Sequence, residues 1–339
     1  MASLVLTVRE TLRYRGAIGQ WAWVLHRVTG LGVVFFLVLH VIDTSWSVFY
    51  PELYEKALTI YQHPLFTIGE FVLVFCVVYH AFNGLRIAIF DNKPELWQYQ
   101  ERAAYGVLGL TVVVLIPVFL GMFGHVVAHY NKGDAFVLPL IDVLVEQLPF
   151  LAGMVIAAIG AIVLSGIYGM VAGNEKATSS AKLSGSPLER FWWSFMRVSG
   201  LLIVPLVFGH LAMVHVIQGV FDITVAGFTV VGTDLVNVSG TATEFVAHRW
   251  NFAVGGVAVW KLYDIALLAL VTVHGFNGLR YVLTDYTMQY PILRRASMYL
   301  CAIGALILLG VGGAALLGTI GPESIAMAEE ARRAILAGG

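Results

Sequence analysis

The chain has 339 residues, of which 59% are apolar and only 12% are charged, about half the roughly 25% charge of a soluble domain. Twenty basic and 21 acidic side chains leave a net charge of −1, which excludes nucleic-acid binding through bulk positive charge; the apolar content excludes a disordered chain and an ordinary cytosolic globule. A mean hydropathy of +0.82 points to an integral membrane protein, and ten histidines, several inside apolar runs, are what that class does not explain.

The N-terminal sixteen residues are mixed polar and contain arginine, so a cleaved secretory signal is not expected. Seven runs are long and apolar enough to cross a bilayer, at about 22–46, 65–90, 104–129, 149–172, 192–219, 255–283 and 296–320. They are continuous rather than alternating, which predicts an all-α polytopic bundle and not a barrel. Fourteen Lys and Arg fall on the side of the N-terminus, among them Arg27, Arg86, Arg197 and Arg280, against six on the other. That bias predicts a cytoplasmic N-terminus and an external C-terminus.

Between the spans, residues 173–187 read as a Ser/Gly/Lys-rich linker. The external connection 220–254 holds Ile223, Val225, Phe228, Val230 and Val231 around Gly227 and Gly232, the pattern of a short hairpin. A short amphipathic helix is expected from Glu323. The expected organisation is a first three-span repeat over 1–130, a linking span and linker over 131–190, a second three-span repeat over 191–320, and a tail over 321–339.

The repeat rests on spaced polar residues. His26-Arg27-Val28-Thr29-Gly30 opens the first span, Met196-Arg197-Val198-Ser199-Gly200 the fifth, and a histidine follows each arginine by 13 positions, His40 and His210. His80-Ala81-Phe82-Asn83-Gly84-Leu85-Arg86 ends the second span, and His274-Gly275-Phe276-Asn277-Gly278-Leu279-Arg280 the sixth. Glu70 and Asp264 stand ten positions before those histidines. Because each unit has three spans, the fourth span restores parity and lets both units run the same way.

Two repeat-related histidine pairs are what two bis-histidine haem irons require; a lone membrane histidine serves as readily as polar glue between helices. At about 1.5 Å per residue, His40 and His210 lie about 20 Å outward from Arg27 and Arg197, while His80 and His274 lie only about 9 Å from Arg86 and Arg280. The pairs thus predict two levels, an inner haem on His80 and His274 and an outer one on His40 and His210. The four arginines suit propionates or a quinone oxygen, or simply anchor the inner interface.

His215 lies five residues beyond His210, about 140° around a regular helix, so the two are not expected to serve one iron. His125 and His129, spaced i,i+4, have a metal-compatible spacing but no third ligand. His63 and His248 gain no role. Glu70 and Asp264 are candidates for proton handling on the outer side, or interfacial helix-start carboxylates.

These motifs resemble the membrane anchors of succinate dehydrogenase and fumarate reductase (succinate:quinone oxidoreductase). The first half looks like the larger anchor and the second like the smaller, where Leu283-Thr284-Asp285-Tyr286 continues the match. The resemblance implies a fused, di-haem anchor. It would pass electrons from an iron–sulfur subunit, bound with a flavoprotein on the cytoplasmic face of a prokaryotic membrane, to a quinone dissolved in the membrane lipid. It also implies that Arg27, Asp285 and Tyr286 line the quinone pocket, that His26 and Arg197 lie near haem propionates, and that the quinone is menaquinone where the di-haem tendency holds. One departure is Trp23, which stands where the family has a quinone-contacting serine. Another di-haem cytochrome b and a transporter built on a parallel repeat are the competing readings; the latter predicts paired acids in mid-span.

Overall fold

The computed structural model describes residues 16–132, 136–172 and 186–337. Arg9, Arg13, Arg15, Lys176, Lys182 and nearly all of the expected linker lie outside the described residues. Among the described residues, seven helices are long and apolar enough to span a membrane, and they fall where the apolar runs put them. In chain order they are α1 (Ile18–Phe49), α3 (Pro64–Asn92), α4 (Gln100–Tyr130), α6 (Leu148–Ala172), α7 (Pro187–Leu211), α9 (Val259–Thr287) and α10 (Pro291–Leu317). The shorter helices α2 (Pro51–Tyr61), α5 (Leu140–Val145), α8 (Ala242–Asn251) and α11 (Pro322–Ala337) complete the described set.

Local sequence explains the boundaries. Proline occupies the first position of α2, α3, α7, α10 and α11, where its missing N–H costs nothing. Ser186 accepts a hydrogen bond from the Glu189 N–H at 3.2 Å, and Thr241 one from the Glu244 N–H at 3.1 Å; both are Ser/Thr-x-x-Glu starts. Pro117 lies inside α4 and Pro205 inside α7, as membrane helices tolerate when neighbours re-satisfy the backbone.

Helices α1, α3, α7 and α9, the first two spans of each repeat unit, contact one another in a closed ring. The third spans flank it, α4 against α3 and α1, and α10 against α9 and α1; α6 packs on α10, where the Ser165 hydroxyl donates to the Ile292 carbonyl at 2.7 Å. One end of the ring carries Arg27, Arg86, Arg197 and Arg280 and is called the arginine end.

The other end is closed by a cap that the sequence only partly foretold. Helices α2, α8 and α11 pack together around Tyr54, Leu58, Phe245, Trp250, Leu316 and Ile320. The expected hairpin is shorter and shifted: β1 (Phe228–Thr229) pairs antiparallel with β2 (Val236–Asn237), while Ile223 lies in a 3₁₀ turn over Asp222–Thr224. A second hairpin joins β3 (Ala253–Val254) to β4 (Val257–Ala258) through Gly255 and Gly256, both at positive φ, as a tight two-residue turn demands. Neither α2 nor α8 was expected, because both are too short and too polar to give an apolar run. Inside the cap, the fully buried Glu55 accepts from the Thr243 N–H at 2.9 Å and hydroxyl at 3.1 Å. Burial pushes its carboxyl above the usual range against those bonds.

Candidate functional site

At the arginine end two histidines face glycines across helix contacts. The His80 ring on α3 lies over Gly30 of α1, where an added Cβ would come within 2.7 Å of Cε1. The His274 ring on α9 lies over Gly200 of α7, where a Cβ would meet Cε1 at 3.4 Å. Gly30 and Gly200 are repeat equivalents, so the close helix approach that glycine permits recurs in both units. His80 Nδ1 lies 3.0 Å from the His26 carbonyl and His274 Nδ1 2.9 Å from the Ser199 hydroxyl. With Nδ1 engaged in both, Nε2 remains as the ligating atom, the arrangement typical of a metal-bound imidazole.

The His26 ring stacks on His80 with centroids 3.9 Å apart and planes 8° apart. His26 Nδ1, Arg86 Nε and Arg280 Nη2 are buried without a hydrogen-bond partner among the described residues. Unpartnered buried nitrogens on a histidine and two arginines, beside two histidines with free Nε2, fit a bound anionic macrocycle better than they fit a finished protein core. Any haem ligated by His80 should be lost in Gly30→Ala while the chain still inserts, since the new methyl needs the space of His80 Cε1; pyridine haemochrome assay of purified protein would show it.

Nearer the interface, Arg27 pairs with Asp285 and its guanidinium lies 3.9 Å over the Trp23 ring. Tyr286 follows Asp285 and is 60% exposed. A pseudo-equivalent constellation occupies the other unit. Arg197 pairs with Asp91, stacks on Trp193 at 3.5 Å, and also donates Nη1 to the Trp193 carbonyl at 2.9 Å. Asp91 and Trp193 were not singled out from the sequence, although the signal was there. Asp91 follows His80 by eleven residues as Asp285 follows His274, and each tryptophan precedes its arginine by four. The two copies differ in commitment: Arg197 gives Nε and Nη2 to Asp91 and Nη1 to Trp193, while Arg27 gives a single nitrogen to Asp285. Arg280 donates Nε to Asn277 at 2.9 Å and Nη1 to Glu189 at 3.2 Å.

Toward the cap lies a cavity of about 530 Å³ lined by His40, His210, His215, Glu70, Asp264 and Arg249 among others. That volume is in the range of cofactor pockets, about 300–1,000 Å³. The His40 and His210 ring centroids are 5.9 Å apart with planes at 77°. Two metal–imidazole bonds of about 2 Å each, plus the offset of each ring centre, require about 6 Å. His210 Nδ1, Asp264 Oδ1 and Asp43 Oδ1 are buried without a partner among the described residues. This second pair also fits a bis-histidine group.

One finding here departs from the sequence reading. His215 was expected about 140° from His210, but the chain turns π-helical over Ala212–Ile217. In a π turn the hydrogen bond runs to i+5, so a residue five places on returns toward the same side. The His210 and His215 ring centroids are 6.2 Å apart, both line the cavity, and His215 Nδ1 lies 2.6 Å from Glu70 Oε1. The paired Asp264 accepts from Trp250 Nε1 at 2.9 Å. His125 holds that π turn, with Nε2 2.8 Å from the Val216 carbonyl and Nδ1 2.6 Å from Asp222. His129 stacks on Phe221 at 4.4 Å, His63 Nδ1 accepts from the Leu65 N–H at 3.1 Å, and His248 lies 3.1 Å from Glu244.

Comparison with known proteins agrees with the architecture. The family described as succinate dehydrogenase/fumarate reductase transmembrane subunit matches residues 7–119 and again 172–314. A Mycobacterium tuberculosis protein named succinate dehydrogenase 2 membrane subunit SdhC is 32% identical over 118 residues, 35% of this chain and 87% of that protein. A Halobacterium salinarum protein named succinate dehydrogenase hydrophobic membrane anchor subunit is 32% identical over 106 residues, 30% of this chain and 81% of its own length. No solved structure gives a significant match. With about three quarters of its length matched in two blocks, and with two ring-forming helix pairs that correspond motif for motif, the chain belongs to the family of succinate dehydrogenase/fumarate reductase transmembrane subunits.

Proposed function

We propose that the chain is both membrane anchors of a succinate:quinone oxidoreductase in one polypeptide, with two b-type haems at two depths and a quinone pocket at its arginine end. The fusion is supported by the two separate family matches and by relatives whose nearly whole length corresponds to about a third of this chain. The observation that supports the haems most directly is that each repeat unit supplies one histidine to each of two levels, His80 with His274 and His40 with His210, the latter with ring centroids 5.9 Å apart and both with unpartnered buried polar atoms nearby. Haem bound there would supply reversible one-electron exchange. His26, Arg86 and Arg280 offer their free nitrogens to propionates; Arg197 stands in the same group with its nitrogens already bound.

Quinone is the substrate, and its reduction takes two electrons and two protons per quinol formed. Arg27 has guanidinium donors to spare for a quinone carbonyl, the Trp23 ring supplies a flat apolar wall in place of a hydroxyl contact, and Asp285 with Tyr286 stand where protons must be delivered. Glu70 with His215, and Asp264, are the proton-handling groups at the cap end. In this reading the electrons come from iron–sulfur and flavoprotein subunits docked at the arginine end; the excess of basic residues there supports its lying on the cytoplasmic face of a prokaryotic membrane. Menaquinone is the quinone expected of a di-haem anchor.

The test is a dithionite-reduced minus oxidised visible spectrum with pyridine haemochrome quantitation on the purified complex. Two b-type haems per chain are expected. Absence of b-type absorption would sink the reading, and one haem per chain would remove the cap-end site.

A further inference from the structure

Among the described residues, Arg249 is the one arginine or lysine that lines the cap-end cavity. It sits on α8, in a segment outside the ring of spanning helices, and is only 5% exposed. Its place is set by the cap. Nη1 donates to the Val231 carbonyl at 2.8 Å, and the guanidinium lies 4.5 Å from the centre of the Trp260 ring. Trp260 is fixed in turn, with Nε1 donating to the Gly232 carbonyl at 2.7 Å. At Gly232, at φ +79°, any Cβ would lie 2.4 Å from the indole. Arg249 is close enough to His210 and Asp264 to interact with both electrostatically.

A guanidinium carries five N–H donors. Only one hydrogen bond is made here among the described residues, and the nearly inaccessible cation lines a cavity whose other ionisable lining is mainly carboxylate and imidazole. A buried charge is costly unless paired, and Asp264, which spends one oxygen on Trp250 and leaves the other unpartnered, makes no hydrogen bond to it. The free fork has the shape and charge for a carboxylate of whatever fills the cavity.

We infer that Arg249 is the carboxylate-binding residue of the cap-end site, pairing with a propionate of the haem held between His40 and His210. The inference rests on the two-haem reading, and extends it to a residue outside both repeat motifs. A cation beside a propionate stabilises the reduced haem, which carries one positive charge less at iron, and so raises its midpoint potential.

The test is a redox titration of the haems in the intact membrane complex, with His40→Ala identifying which potential belongs to the cap end. In Arg249→Gln, which keeps a donor for the Val231 carbonyl but removes the charge, the cap-end potential falls and the inner one stays. Arg249→Lys restores most of the shift. An unchanged cap-end potential in an Arg249→Gln complex that retains both haems overturns the inference while leaving the two-haem reading intact; a wild-type complex with one haem overturns the two-haem reading itself. Should Arg249→Gln fail to assemble, the wild-type complex decides. Redox-difference infrared spectra with haem labelled by ¹³C at the propionate carboxyls should show an ionised band perturbed at the cap-end potential, and the absence of any ionised carboxylate band there overturns the inference.

Discussion

Replacing His80 or His274 by alanine is expected to remove one haem per chain and to leave the other, the same outcome from either side of the bundle. The two histidines sit on α3 and α9, in different repeat units, with their Nδ1 atoms engaged and their Nε2 atoms free. One imidazole cannot hold a bis-histidine iron in its low-spin state, while the other pair, His40 with His210, keeps both of its histidines. The neighbouring hydrogen bonds predict a finer asymmetry. His80 is oriented by the His26 backbone carbonyl, which no side-chain substitution removes, whereas His274 is oriented by the Ser199 hydroxyl. Ser199→Ala is therefore expected to weaken haem retention by roughly 10–100-fold, the usual cost of losing an orienting partner, with no matching variant on the His80 side. The measurement is haem per protein after detergent washing. Retention of both haems in His80→Ala would remove His80 from the ligand set.

Arg27→Leu is expected to lower kcat/KM for quinone by roughly 30–100-fold while succinate-dependent reduction of a water-soluble dye is unchanged. A charge-assisted hydrogen bond to the quinone contributes about 2–3 kcal/mol, and dye reduction bypasses the quinone pocket. The informative control is Arg197→Leu. Both arginines stack on a tryptophan and pair with an aspartate from the other unit, so sequence spacing alone predicts equal effects. Arg197 already has Nε, Nη1 and Nη2 bound to Asp91 and the Trp193 carbonyl, whereas Arg27 has one nitrogen bound among the described residues. Of the two, Arg27 has donors left for a substrate carbonyl, so Arg197→Leu should change quinone kinetics by less than about threefold, because its nitrogens are already bound to protein partners rather than to the quinone. Equal losses in the two variants would mean that the pocket is not where Arg27, Trp23, Asp285 and Tyr286 place it.

Much of this protein is legible in its amino-acid sequence. About 20 apolar residues in a row have one stable solution in a bilayer, so residues 107–123 or 155–171 read as helix with no knowledge of their neighbours. The repeat is legible because motif and spacing recur at both His80 and His274. His215 is less legible because angular arithmetic assumes a regular helix, and one π turn, clamped by His125 from α4, moves it into the cavity. Asp91 and Trp193 obey the same spacing as Asp285 and Trp23, yet their meaning lies in which arginine each one meets across the bundle.

By itself the sequence determined the class and the seven spans, and its internal repeat pointed to two units and to the pairs of histidines, because all of these follow from local hydropathy or from self-similarity along one chain. Tertiary structure alone decided which glycine each histidine covers, which arginine keeps free donors, and that a cap of short helices puts Arg249 into the cap-end cavity. Those depend on contacts between residues far apart in sequence, such as Arg27 with Asp285 and Gly30 with His80, and neither hydropathy nor periodicity encodes the direction in which two distant helices face each other.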